Sequence, residues 1–167
     1  MIEKLYILVF LNQSACFVMA LIHANSLQIA DKGLLIIGGS GTGKSTISLE
    51  LIDRAQYFFK KPAALISDDF TEISACDHQH IEAVAPSELK GLIEIRGAGI
   101  FHIAHNDSVV LTHAVTLGES AARFPESHFY SFNNIAIPMI KLPAVANADC
   151  ITLCHAIEAF LFRSRLK

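Results

Sequence analysis

The residues Gly38-Gly39-Ser40-Gly41-Thr42-Gly43-Lys44-Ser45 spell G-x-x-x-x-G-K-S, the spacing of a phosphate-binding P-loop. Each part of the pattern has a chemical use. The glycines let the backbone fold into a concave nest of N–H donors, and the following helix points its positive end at an anion. Lys44 reaches the outer phosphates of a nucleotide, Ser45 offers a hydroxyl to Mg²⁺, and Thr46 is counted with the nucleotide-binding positions. Two more stretches carry chemistry. Ser67-Asp68-Asp69 sets adjacent carboxylates that can hold Mg²⁺ or take a proton from an attacking hydroxyl, although Asp-Asp after a strand can equally be a solvated turn. Glu94 and Arg96 share one face of an extended segment whose other face carries Ile93 and Ile95, a pattern that also fits a surface strand with an ion pair.

These groups need an open α/β sheet to bring them together. The apolar run Leu34 to Ile37 reads as the strand before the P-loop, and Lys44 to Tyr57 reads as the helix after it. Phe17 to Ile22 and Ser26 to Ala30 read as earlier strands, with a turn at Asp31-Lys32-Gly33. Ala63 to Ile66 reads as a buried strand that delivers Asp68 and Asp69 at its carboxyl end, where ligands of such sheets bind. Cys150 to Leu166 reads as a final helix, with Arg163, Arg165 and Lys167 complementing the negative end of its dipole. The expected fold is α/β, one domain over residues 1–167, with a mixed central sheet and flanking helices.

Composition removes several classes. The 167 residues suffice for one buried core, and 52% hydrophobic content with 17% charge excludes disorder. A formal charge of −3 gives no basis for binding nucleic acid. The mean hydropathy of +0.43 fits a chain that covers part of its apolar surface with other subunits. Cys16, Cys76, Cys150 and Cys154 are too scattered for a zinc ribbon and read as reduced core thiols of a cytoplasmic protein. The apolar run Leu5 to Leu11 is broken by Asn12-Gln13-Ser14, well short of the ~20 residues a membrane span needs. Neither membrane insertion nor export is expected. The histidines add nothing at this level: Asp77-His78-Gln79-His80 reads as a solvated hairpin end, His102 and His105 as an incidental pair, and His113, His128 and His155 belong to no constellation.

The P-loop, Ser67-Asp68-Asp69 and, above all, Leu92-Ile93-Glu94-Ile95-Arg96-Gly97-Ala98-Gly99-Ile100 together resemble the catalytic domain of HPr kinase/phosphorylase, a bacterial serine kinase acting on the phosphocarrier protein HPr. The E-[IV]-R-G-x-G-I segment is the most specific piece, and the likeness runs from about His23 to the carboxyl terminus. The resemblance implies a P-loop kinase domain of PEP carboxykinase-like fold in a short form without the family's separate amino-terminal domain. It further implies ATP and Mg²⁺ as cofactors, an HPr-like substrate, a role in regulating carbohydrate metabolism, and assembly as a hexamer.

It also implies roles for single residues. His23 matches the active-site histidine, Lys44 the P-loop lysine, Asp68 the catalytic aspartate and Asp69 its neighbour. Ser45 and Glu94 match Mg²⁺ ligands, and Arg123 matches an arginine in a loop near the phosphate. The chain departs from the pattern in two places. The arginine-rich loop tied to dephosphorylation is replaced by Pro143-Ala144-Val145-Ala146-Asn147-Ala148-Asp149, so phosphorylase activity is expected to be impaired. Gly39 and Thr46 stand where many members carry acidic residues. A P-loop kinase of another protein or of a small molecule, or a nucleotide-binding regulator, are the competing readings.

Overall fold

The computed structural model describes residues 6–12, 15–76, 79–123 and 125–164. The chain runs β1 (Tyr6–Asn12), β2 (Ala15–Ile22), β3 (Ala24–Ile29), β4 (Lys32–Gly38), α1 (Lys44–Asp53), β5 (Ala63–Ser67), β6 (Thr71–Cys76) and β7 (His80–Val84). It continues through β8 (Leu92–Ile95), β9 (Gly99–His102), β10 (Ser108–Leu111), β11 (His113–Leu117), β12 (His128–Phe132), β13 (Ile135–Leu142) and α2 (Cys150–Phe162). Six strands form a mixed sheet in the order β12-β13-β11-β4-β3-β5, five form a second sheet β1-β2-β6-β7-β10, and β8-β9 is a separate hairpin.

Side-chain alternation along β4 shows how the layers stack. Leu34 and Ile36 face a core shared with Ile47 and Leu51 of α1 and with Leu153, Cys154 and Ile157 of α2. Leu35 and Ile37 face the opposite core, built with Ile73 and Ala75 of β6, Ile81 and Ala83 of β7, and Leu111 of β10. Both faces of the central sheet are therefore dry, which is why β4 reads as a continuous apolar run. Each fully buried Leu or Ile contributes about 1.5–3 kcal/mol. Both helices lie on one face, and the second sheet covers the other. The mixed central sheet with flanking helices expected from the sequence is present, and the second sheet adds a third layer.

The register decides where chemistry can sit. β4 runs parallel to β11, and β11 to β13. β3 is inserted antiparallel between β4 and β5, with Ala24 opposite Ile37 and Ser26 opposite Ser67. The carboxyl ends of β4 and β5 therefore meet the beginning of β3 at one end of the sheet.

The helices also differ from the sequence reading. α1 is regular only to Asp53, then widens into a π turn over Arg54–Phe58, with Phe59 N–H bonded to the Arg54 carbonyl at 3.2 Å. Arg54 reaches across to Glu158 of α2 with paired bonds of 2.6 and 2.9 Å, joining the two helices. α2 ends at Phe162, and Arg163 is extended (φ −115°), so no basic residue occupies its last turn as expected. The helix is fixed instead at its start, where the Asp149 carboxylate accepts from the Thr152 N–H at 2.8 Å. Arg165 and Lys167 lie outside the described residues, as do Leu5, Asp77 and His78.

Candidate functional site

The P-loop leaves β4 at Gly38 and enters α1 at Lys44. Gly43 sits in the left-handed region at φ +99°, and a Cβ there would lie 2.3 Å from a methyl of Val145, so only glycine fits. The loop is tied internally by Thr42, whose N–H and hydroxyl both donate to the Gly39 carbonyl, at 3.2 and 2.9 Å. The first turn of α1 has no side-chain cap and no acidic residue, leaving its N–H donors to an external anion.

Lys44 is 5% exposed, and its Nζ lies 3.1 Å from the Gly38 carbonyl, 3.1 Å from His23 Nε2 and 3.5 Å from Asp69 Oδ1. His23 Nε2 is in turn 2.8 Å from Asp69 Oδ1. These three groups reach one another because β3 begins beside the ends of β4 and β5. Asp69 has φ +65°, a strained setting for a non-glycine residue, and its N–H is held by Asn25 Oδ1 at 3.0 Å.

Asp68 is 7% exposed. One carboxylate oxygen accepts from Asn25 Nδ2 at 2.5 Å and the other from the Glu94 N–H at 3.1 Å, with the Ser45 hydroxyl adding a third donor. Burial pushes its pKa above the ordinary carboxylate value and the nearby Asp69 charge adds to this, while the Glu94 N–H, Ser45 and Asn25 pull it back. The outcome is an oriented carboxylate with increased proton affinity, which suits a general base.

Ser40, Gly41, Gly43, Lys44, Ser45, Thr46, Asp68, Asp69 and Glu94 line one cleft of about 350 Å³, together with Arg96, Val145 and Ala146. The sequence-predicted residues thus converge, with His23 behind Lys44. Gly38 carries the carbonyl that holds Lys44, and Gly39 the carbonyl that holds Thr42. Arg96 approaches Gly41, its guanidinium 3.7 Å from where a Cβ would stand. Arg123 is not brought into the cleft. It lines a separate apolar groove with Phe129, Met139, Leu153 and Phe160, between β13 and α2.

The donor set fits Mg²⁺. The ion prefers one or two carboxylates, a hydroxyl and phosphate oxygens, with water completing the octahedron. Asp68, Glu94 and Ser45 supply such oxygens beside the phosphate nest. Among the described residues no group of three His, Cys, Asp or Glu side chains forms a self-sufficient cage.

Two residues escaped the sequence reading. Asn25 is fully buried and bridges Asp68, the Asp69 backbone and the Ser48 hydroxyl (3.0 Å). Its only signal is an amide inside an apolar strand. Val145 belongs to the stretch noted for lacking arginine, but its seat on Gly43 and its N–H bond to the Thr42 carbonyl (3.0 Å) follow only from the fold.

The family model described as the HPr Serine kinase C-terminal domain matches residues 17–115. A curated HPr kinase/phosphorylase from Pediococcus pentosaceus is 42% identical over 165 residues, covering 87% of this chain and 48% of that protein. One from Limosilactobacillus reuteri is 41% identical over 83 residues, covering 50% of this chain and 24% of that protein. The chain spans about half the length of these relatives, or less. The structure of the Hpr(Ser) kinase/phosphatase from Coxiella burnetii superposes with a TM-score of 0.69 at 23% identity, covering 86% of this chain and 91% of that one. At that identity it shows a shared fold.

Proposed function

Because the chain belongs to the HPr Serine kinase C-terminal domain family, we propose that it is a Mg-ATP-dependent protein-serine kinase whose substrate is an HPr-like phosphocarrier protein. The observation that carries this reading is the buried Asp68, held by Asn25 and Glu94 in the same cleft as the P-loop lysine. Phosphoryl transfer asks a protein for positioning and charge neutralisation more than for covalent chemistry. Mg²⁺, held by Ser45, Glu94 and Asp68, would neutralise phosphate charge when bound.

The chain's own residues do the rest. The P-loop N–H groups and Lys44 hold the outer phosphates, and Lys44 exchanges its contacts with His23 and Asp69 for them. Asp68 accepts the proton of the incoming serine hydroxyl as oxygen attacks the terminal phosphorus, and the nucleoside diphosphate leaves with the electron pair of the broken P–O bond. Arg96, beside Gly41, adds positive charge at the loop's rim.

The reverse reaction, attack of inorganic phosphate on a phosphoserine, needs cations that hold the extra phosphate. The segment over the P-loop offers Val145 and Ala146 instead. Phosphorolysis is therefore weak relative to the forward transfer. The protein works in the cytoplasm, where ATP and its substrate are found; among the described residues no helix is long and apolar enough to cross a membrane.

The test is incubation with Mg-ATP and purified HPr, with Asp68→Asn alongside and nucleotide binding measured separately. Transfer to a serine of HPr that Asp68→Asn abolishes, with nucleotide affinity retained, supports the reading. Nucleotide binding without transfer to HPr overturns it in favour of a regulator, and transfer to a metabolite overturns it in favour of a small-molecule kinase.

A further inference from the structure

Tyr57, Phe58 and Phe59 are consecutive, and all three rings are exposed, at 67%, 74% and 51%. They stand where α1, having widened into its π turn, gives way to the connection toward β5. That connection is tied at both ends. The Phe59 N–H donates to the Arg54 carbonyl at 3.2 Å and the Lys61 N–H to the Ala55 carbonyl at 2.8 Å. Gln56 Nε2 donates to the Ala63 carbonyl at 2.7 Å, and the Pro62 carbonyl accepts the Ala30 N–H at 2.7 Å. The aromatic run is thus anchored to α1 and to the ends of β3 and β5, and its rings are presented to solvent by a fixed backbone.

Cations surround the rings. Lys60 turns the chain in the left-handed region at φ +53°, a position that glycine fills by preference after a helix. A lysine there accepts backbone strain and sets its charge directly beside the three aromatics. Lys61 follows, its Nζ 4.3 Å from the centroid of the Phe162 ring. Phe162 is itself 38% exposed, and the exposed Arg163 comes next. The carboxylates of this region are largely engaged: Glu158 accepts from Arg54, and Asp31 pairs with Lys32 at 2.8 Å. Asp53, one turn before Tyr57, is left against Lys60, Lys61 and Arg163. A chain of formal charge −3 therefore carries a positive surface around exposed aromatic rings.

We propose that Tyr57, Phe58, Phe59, Lys60, Lys61 and Arg163 form a docking surface for an anionic lipid bilayer. Aromatic rings settle at the level of the lipid headgroups, and neighbouring lysines are drawn to anionic lipids. The size of the patch favours this occupant over a protein. At ~200 Å² per aromatic side chain the three rings expose about 400 Å², half of the ~800 Å² per partner that a stable protein interface takes. Binding to a bilayer surface needs no shaped partner, since apolar area and charge simply sum. The attachment is superficial, because among the described residues no helix is long and apolar enough to cross a membrane. The patch lies at the carboxyl end of the helical span and the P-loop at its amino end. The span Lys44–Phe58 separates them by about 20 Å at 1.5 Å per residue. A docked chain keeps its cleft open to solution, whatever reaction the cleft performs.

The experiment is flotation of the full chain with phosphatidylcholine vesicles, with and without phosphatidylglycerol. Wild type, Phe58→Ser, Lys60→Gln/Lys61→Gln and Phe129→Ser are compared, the last removing an exposed ring on the distant strand β12. Binding is expected only to the anionic vesicles and should weaken as salt rises. Phe58→Ser should lower the partition at least tenfold. The double lysine variant should lower it about thirtyfold, from about 1 kcal/mol per cation near an anionic surface. Phe129→Ser should leave it unchanged. The chain contains no tryptophan, so Phe58→Trp supplies a single reporter whose emission should move to shorter wavelength on anionic vesicles. Thermal unfolding checks that the variants, all at exposed positions, remain folded. Wild type that stays unbound in the presence of anionic vesicles overturns the proposal, as does equal loss in Phe129→Ser. An oligomer that Phe58→Ser dissociates, without vesicle binding by wild type, overturns it in favour of a second copy of the chain.

Discussion

Replacing Asn25 by alanine tests how the cleft is organised. The amide is fully buried and makes three bonds at once: Nδ2 donates to the Asp68 carboxylate and the Ser48 hydroxyl, and Oδ1 accepts the Asp69 N–H. A hydrogen bond to a charged group contributes about 1.5–3 kcal/mol. If that orientation is used in the transition state, its loss lowers kcat by about 10- to 100-fold. Leaving buried polar atoms without a partner also costs about 1–3 kcal/mol of stability. Both can be read with purified protein, by steady-state transfer from Mg-ATP to HPr and by thermal unfolding. The pH profile separates orientation from general damage. Removing a donor from the charged form of Asp68 raises the carboxyl's proton affinity, so the acid limb of kcat moves to higher pH. Asn25→Asp moves it further by adding a second carboxylate. A folded Asn25→Ala protein with kcat within twofold of wild type, or with loss confined to the KM for ATP and no change in the acid limb, refutes the reasoning.

Asp68 also makes stability depend on pH. Burial raises its pKa in the fold, so the native state holds the proton over an interval above the ordinary 3.8; stability is full below that value and declines as pH rises through the raised one. Thermal midpoints measured from pH 4 upward should therefore fall more steeply for wild type than for Asp68→Asn. His113 acts in the opposite sense: burial, then the Lys32 charge, holds its pKa below the ordinary 6.5, so stability is full above that value and is lost as pH falls. His113→Gln should flatten the acid side of the profile measured between pH 7 and 5. Gly43→Ala forces a side chain into φ +99° and onto Val145, and should lower nucleotide affinity at least tenfold. Adding Val145→Ala should recover the contact part of that loss and not the backbone part.

Local features were legible in the sequence. The P-loop is eight consecutive residues, and Asp68-Asp69 follows an apolar run whose carboxyl end had to face the same side as the loop. Asn25 was not legible, because its role comes from β3 lying antiparallel between β4 and β5, a pairing across more than 40 residues (|i−j| of 43 to Asp68). The second sheet was equally hidden, since β2, β6, β7 and β10 are matched by tertiary register. The long helix expected from Lys44 to Tyr57 breaks into α and π turns, and leaves Tyr57 and Phe58 exposed where periodicity alone would continue. Arg123, matched by resemblance alone, lines a groove with residues of β13 and α2 in this structure.

The seat of Val145 on Gly43 has a thermodynamic side. The same residue that touches the P-loop bonds to Thr42 and stands four positions before the Asp149 cap of α2. Any free energy that a nucleotide spends on ordering the loop is thereby shared with the start of α2, and by reciprocity whatever steadies or loosens residues 143–149 changes nucleotide affinity by the same factor. In hydrogen exchange the amides of Val145 and Thr152 become reporters of a ligand that touches only the loop. On the proposed function, a hydrophobic residue in that position couples the last helix to the nucleotide site.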